Sequence, residues 1–297
     1  MYPASMAMES TIGKLTSMTI YTLLALVFTA NSAVGFLAPS VNVARSAHTS
    51  WRKPCASLTS RCHPRSSKSD LHRRARSGRL SMDVDPHELR LQAAELGSRL
   101  KGTNVYFVGM MGTGKSTVAR YLADNMGRYI FLDTDSIIEE LLGASVGEVF
   151  ATDGEKAFRS VESQVLDQVH SFVKMCIATG GGMVTQANNW GRMQTGLVVW
   201  LDMQPQDIVA RLMQDPDQVA KRPLLAGDNP QAKLEEILEE RRSQYEQADV
   251  VVQLQPDDGV DDATLLVVNS ILEFIDSNPP KWQQWKEKAR QAGIEWA

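Results

Sequence analysis

Residues 105–125 read VYFVGMMGTGKSTVARYLADN, and this stretch decides the fold. Val105–Val108 has the length and unbroken hydrophobicity of a buried strand. Gly109-x4-Gly114-Lys115-Ser116 then matches the phosphate-loop pattern GxxxxGK[ST]. Lys115–Asn125 reads as a helix. The glycines let backbone N–H groups turn towards phosphate oxygens without side-chain obstruction. The helix that follows adds its positive N-terminal dipole. Lys115 can neutralise β- and γ-phosphates, and the Ser116 hydroxyl can ligate Mg²⁺. The candidate ATP-binding residues are therefore Gly112, Thr113, Gly114, Lys115, Ser116 and Thr117, with Mg²⁺ as the cofactor. A guanine-reading NKxD motif is absent from the sequence, as is a second nucleotide domain.

Working outward, strands and helices alternate. Asp85-Pro86 opens an amphipathic stretch that runs to about Leu100. Tyr129–Leu132 reads as a strand, and Ser136-x-x-Glu139 as a capping box that starts the next helix. Glu155–Val169 has helical spacing. Met175–Ala178 is a strand leading to three glycines, and Leu197–Leu201 is another strand. Gln206–Met213 is helical. Asp215–Pro230, rich in Asp, Pro and Gly, reads as a mobile loop. Lys233–Gln247 is a helix, Asp249–Leu254 a strand and Ala263–Ile275 a final helix. This alternation predicts an α/β fold with a parallel sheet and helices on both faces.

Charge divides the chain. The net charge of -4 hides a basic arm, residues 1–80, with 11 Lys/Arg and only two acids, Glu9 and Asp70. The remainder holds 20 basic and 33 acidic residues. An acidic body argues against a nucleic-acid partner, because polyphosphate chains repel it. Three cysteines, Cys55, Cys62 and Cys176, supply neither a disulfide framework nor zinc-ligand spacing. Residues 19–30, TIYTLLALVFTA, lie behind Lys14 and are too short to span a membrane. They fit the core of a secretory signal peptide, with small residues at Ala33-Val34-Gly35 and Phe36 next. Residues 36–80, rich in serine and basic residues, have the composition of a transit peptide. The pair resembles the two-part leaders of algae with complex plastids, which implies delivery to the chloroplast stroma. The expected organisation is a signal peptide over 1–35, a transit segment over 36–80, one domain over 81–277 and a tail over 278–297. No stable membrane association is expected of the domain.

A second set of residues follows the phosphate loop. It comprises Asp133-Thr-Asp135, the stretch FATDGEKAFRSVES with Arg159 and Glu162, and Gly180-Gly181-Gly182. Lys221-Arg222-Pro223-Leu224-Leu225 and Arg241-x3-Tyr245 complete it. Singly, the aspartates read as turn or helix-entry residues and the arginines as solvated helix residues. Together, their order and spacing resemble the shikimate kinase family from about Lys101 to Ile275. The resemblance implies a five-stranded parallel sheet with a mobile lid, and shikimate and ATP as substrates. It implies that Asp135 holds the hydroxyl that accepts phosphate, and that Asp133 sits near Mg²⁺ through water. Arg159 and Arg241 would hold the shikimate carboxylate, with a backbone contact from Gly181. Arg222 would close from the lid onto the phosphates, making Lys115, Asp135 and Arg222 the catalytic set. The arm from Arg211 to Arg222 is longer than in bacterial members. Arg211 and Arg242 receive no role.

The chemistry fits these roles. In an acidic protein a carboxylate substrate needs arginine, whose fork pairs with both oxygens. An Asp with an ordinary pKa of about 3.9 is a weak base for an alcohol. Phosphoryl transfer tolerates this, since its loose transition state depends mostly on positioning. Two other readings remain open at this level. One is another sugar-acid kinase, such as a gluconate kinase; the other is a catalytically silent, shikimate-kinase-like regulator. A monomer or weak homodimer is expected.

Overall fold

The computed structural model describes residues 85–213 and 229–278. The leader readings, the Arg222 lid motif and the tail tryptophans lie outside them. Among the described residues the order is α1 (Pro86–Leu100), β1 (Val105–Val108), α2 (Lys115–Asn125), β2 (Ile130–Asp133), α3 (Thr134–Leu142), α4 (Val146–Thr152) and α5 (Gly154–Val169). Then come β3 (Met175–Ala178), a 3-10 turn (Met183–Thr185), α6 (Ala187–Met193), β4 (Leu197–Asp202) and α7 (Pro205–Met213). The last are α8 (Pro230–Tyr245), β5 (Val250–Gln253) and α9 (Val260–Ser277).

The five strands form one parallel sheet in the order β2-β3-β1-β4-β5. Every residue of β1 and β3 is buried. Successive strand side chains point to opposite faces, so both faces of the sheet are covered. The strands rich in β-branched residues, such as β4 with LVVWLD, supply that double-sided core. Helices α1, α2 and α9 pack on one another, while α5 gathers α3, α4 and α6. Strand order reverses direction at β1, whose neighbours are β3 and β4. Ligands of open α/β sheets bind at such a switch point, beyond the carboxyl ends of the strands. The phosphate loop leaves β1 at that place.

Local details correct three sequence readings. Asp133, not Ser136, opens α3: its carboxylate accepts from the N–H groups of Asp135 at 3.0 Å and Ser136 at 3.3 Å. An Asp at the strand end reaches the exposed N–H groups first, so the helix begins two residues before Ser136. The real capping box is Ser145 with Glu148, which opens the short helix α4 that was not expected. Pro230 belongs to α8 rather than to the preceding loop. It occupies the first turn, where its missing N–H costs nothing, and Asn229 caps it through the N–H of Ala232. No helix among the described residues is long and apolar enough to cross a membrane.

Candidate active site

Gly109 begins the phosphate loop with φ +143, and a Cβ there would lie 2.4 Å from the Leu201 carbonyl oxygen of β4. Only glycine lets the chain leave β1 so close to its neighbour strand. The Met110 carbonyl then accepts from two side chains of the same loop, Thr113 Oγ1 at 2.9 Å and Lys115 Nζ at 2.8 Å. Lys115 is thus buried and folded back over the loop. Gly112 and Gly114 both have positive φ, and Ser116 and Thr117 stand exposed in the first turn of α2. Arg211, given no role from the sequence, borders this loop. Its Nη1 is 3.6 Å from the point where a Cβ on Gly114 would sit, and its Nη2 donates to the Asp258 carbonyl at 3.1 Å.

Asp133 joins the loop to the end of β2. One carboxylate oxygen caps α3, and the other accepts from Ser116 Oγ at 2.5 Å. Both the helix-entry reading and the near-metal reading therefore fit its geometry. The donors are hard oxygens beside the phosphate loop, which is the chemistry Mg²⁺ takes.

Asp135, on the first turn of α3, points towards the glycine triplet. Its Oδ1 is enclosed and has no hydrogen-bond partner among the described residues. Burial pushes its carboxyl up to about 7; the charges of Glu162 and Asp133 add to the rise, and Lys115 and Arg159 oppose it. This lies well above the ordinary Asp value of about 3.9 on which the weak-base expectation rests.

Arg159 is buried on α5 between two carboxylates of its own helix. Its Nη1 donates to Glu162 at 2.5 Å, and its Nε and Nη2 donate to Glu155 at 3.2 and 2.9 Å. Burial works against the charge, but Glu162 and Glu155 outweigh it and raise the pKa. Glu162 is fully buried. Burial raises its pKa as well, against the pull of Arg159. The spacings from Arg159 to Glu155 (i−4) and Glu162 (i+3) are the sequence signal that exposes this network.

The glycine triplet allows these groups to meet. A Cβ on Gly182 would lie 2.0 Å from Arg159 Cζ. Gly180 donates its N–H to Thr134 Oγ1 at 3.1 Å. The Gly181 carbonyl accepts from Arg241 Nη1 at 3.0 Å and from the Tyr245 hydroxyl at 2.9 Å. A backbone contact from Gly181 to an anion therefore falls to its N–H. Arg241 is buried, and its Nε has no partner among the described residues. Its neighbour Arg242 is exposed and pairs with Glu239 at 3.2 Å. The structure thus brings Asp135, Arg159, Gly181 and Arg241 to one place beside the phosphate loop. Arg222 lies outside the described residues.

A phosphate loop at the switch point of a parallel sheet, facing a carboxylate with one enclosed oxygen and two buried arginines, defines a P-loop phosphotransferase for a small anionic acceptor. The chain belongs to the shikimate kinase family, whose model, described as "Shikimate kinase", matches residues 111–275. It is 49% identical to a shikimate kinase of Synechococcus sp. (strain RCC307) over 160 residues, 54% of this chain and 80% of that one. It is 42% identical to a shikimate kinase of Trichormus variabilis over 182 residues, 61% of this chain and 96% of that one. Among solved structures, the shikimate kinase from Acinetobacter baumannii in complex with shikimate aligns with TM-score 0.54 and 35% identity. That alignment covers 62% of this chain and 98% of the other. The shikimate kinase of Bacteroides thetaiotaomicron aligns with TM-score 0.52 and 30% identity, covering 58% and 98%.

Proposed function

We propose that the protein transfers the γ-phosphate of ATP to the 3-hydroxyl of shikimate, releasing ADP and shikimate 3-phosphate. The observation that carries this reading is the convergence of Asp135, Arg159 and Arg241 beside the phosphate loop, in a chain of the shikimate kinase family. The acceptor's carboxylate pairs with Arg159 and Arg241, whose forked N–H groups match two oxygens. The orphaned Arg241 Nε supplies a donor for it. Asp135 orients the acceptor hydroxyl and takes its proton as the oxygen–phosphorus bond forms and the bond to ADP breaks. The N–H groups of Gly112–Thr117 and Lys115 hold the phosphates of ATP. The family resemblance assigns Arg222, outside the described residues, to the same phosphates.

Ser116 and Asp133 would hold Mg²⁺, which when bound offsets negative charge on the phosphates. The Ser116–Asp133 contact prepares both oxygens for it. Import into a plastid belongs to this reading, supported by the leader-like composition of residues 1–80; N-terminal sequencing of the mature protein tests it. A monomer or weak homodimer is the expected state; its mass in solution decides.

The experiment is ADP release by the purified protein with a panel of acceptors. Shikimate-dependent, saturable release supports the assignment. Equal release with gluconate favours a broader sugar-acid kinase, and no acceptor-dependent release favours a silent regulator.

A further inference from the structure

Tyr245 is fully buried at the end of α8, one helical turn beyond Arg241. That spacing puts the two side chains on one helix face. Both donate to the same acceptor, the Gly181 carbonyl, at 2.9 Å from the Tyr245 hydroxyl and 3.0 Å from Arg241 Nη1. A carbonyl oxygen has two lone pairs, so these donors fill it and fix each other's direction. The Tyr245 hydroxyl also lies 3.8 Å from the sulfur of Met110, inside the phosphate loop. Its ring stacks on Trp200 of β4, with centroids 5.5 Å apart and planes at 16°. Trp200 in turn backs the loop's first glycine: its Cδ1 is 3.4 Å from the point where a Cβ on Gly109 would lie. Tyr245 therefore touches both the phosphate-binding half and the acid-binding half.

We infer that Tyr245 is a positioning residue, which through the Gly181 carbonyl sets the direction of Arg241 and ties the acceptor half of the site to the phosphate loop. Burial pushes its phenol up to about 12, so it remains a neutral donor across the working pH range. The inference rests on the reading that Arg241 holds the acceptor's carboxylate.

The test compares Tyr245→Phe, Arg241→Lys and the double variant in steady-state kinetics on the whole protein. Tyr245→Phe keeps the ring and its stacking on Trp200, and removes only the oxygen. One neutral hydrogen bond corresponds to about a fivefold effect, so KM for shikimate rises about fivefold. KM for ATP changes less than twofold, and kcat falls less than KM rises. A merely structural role would lower the active fraction and the melting temperature without singling out one KM. The double variant is less impaired in KM than the product of the single effects, because both donors act through one carbonyl. If Arg241→Lys raises KM for shikimate but Tyr245→Phe leaves it unchanged, the positioning role is overturned while the Arg241 reading stands. If neither substitution changes it, the Arg241 reading falls and the inference with it.

Discussion

The enclosed oxygens of Asp135 and Glu162 flank Gly180 from opposite sequence segments. Asp135 Oδ1 lies 2.6 Å, and Glu162 Oε1 2.5 Å, from the point where a Cβ on that glycine would sit. Neither oxygen has a hydrogen-bond partner among the described residues. Two carboxylates that face each other in a buried space resist ionising together.

The pH profile should show this. In the proposed reaction Asp135 acts as a base only when ionised, and burial pushes its carboxyl up to about 7. In the protein without substrates, kcat/KM for shikimate should fall as pH drops below about 7, approaching tenfold per unit. Stability moves the other way. The folded state holds this proton more tightly than the unfolded chain, whose value is 3.8. The stabilisation is full below that value and is lost as pH rises through about 7. Asp135→Asn should flatten this part of the stability curve. A kcat/KM profile level from pH 8 down to pH 5 would contradict the buried-base reading.

The two acidic partners of Arg159 should differ in weight. Glu162 is 1% exposed in its side chain and Glu155 56% exposed. Breaking the buried pair with Glu162→Gln should cost roughly 3 kcal/mol of stability. Glu155→Gln should cost less than about 1 kcal/mol, since water screens that pair. Denaturant titration of both variants checks the contrast.

Gly182→Ala places a methyl group onto the Arg159 guanidinium, whose carbon and both terminal nitrogens lie within 2.1 Å of it. Arginine must then leave its place against the triplet. KM for shikimate should rise about tenfold or more, the scale of one lost charge-assisted contact, with ATP affinity unaltered. Calorimetric titration with each ligand separates the two effects.

Much of this site could be read from the sequence because its constraints are local. The phosphate loop needs glycines and a lysine at fixed offsets, and helix α2 follows with the bounds its pattern predicts. Helix caps were harder. Ser136 with Glu139 and Ser145 with Glu148 carry the same S-x-x-E pattern, and only the second caps a helix. Asp133 takes the place of the first because it already stands at the end of β2. The Gly181 carbonyl and its donors are 60 and 64 residues apart in sequence. No local pattern reports which carbonyl a buried tyrosine will meet. The raised pKa of Asp135 likewise depends first on its burial and then on Glu162 from another helix, neither of which a local pattern reports.

Asp133 should show two separable losses. Asp133→Ala removes the cap of α3, a cost of about 1 kcal/mol, and the partner of Ser116. Ser116→Ala leaves the cap in place. Both variants should need more Mg²⁺ for half-maximal turnover, and only the first should be less stable. Equal stability of the two would remove the capping role.

The most direct measurement is phosphate transfer from ATP to shikimate by the purified protein and by Asp135→Asn, with ATP affinity measured in parallel. The wild-type protein should form a phosphomonoester on the 3-hydroxyl of shikimate, detected by phosphorus NMR. Asp135→Asn should bind ATP as tightly and turn over about 10²- to 10⁴-fold more slowly. Absence of shikimate-dependent transfer by the wild-type protein, or an Asp135→Asn turnover within threefold of it, would contradict the account.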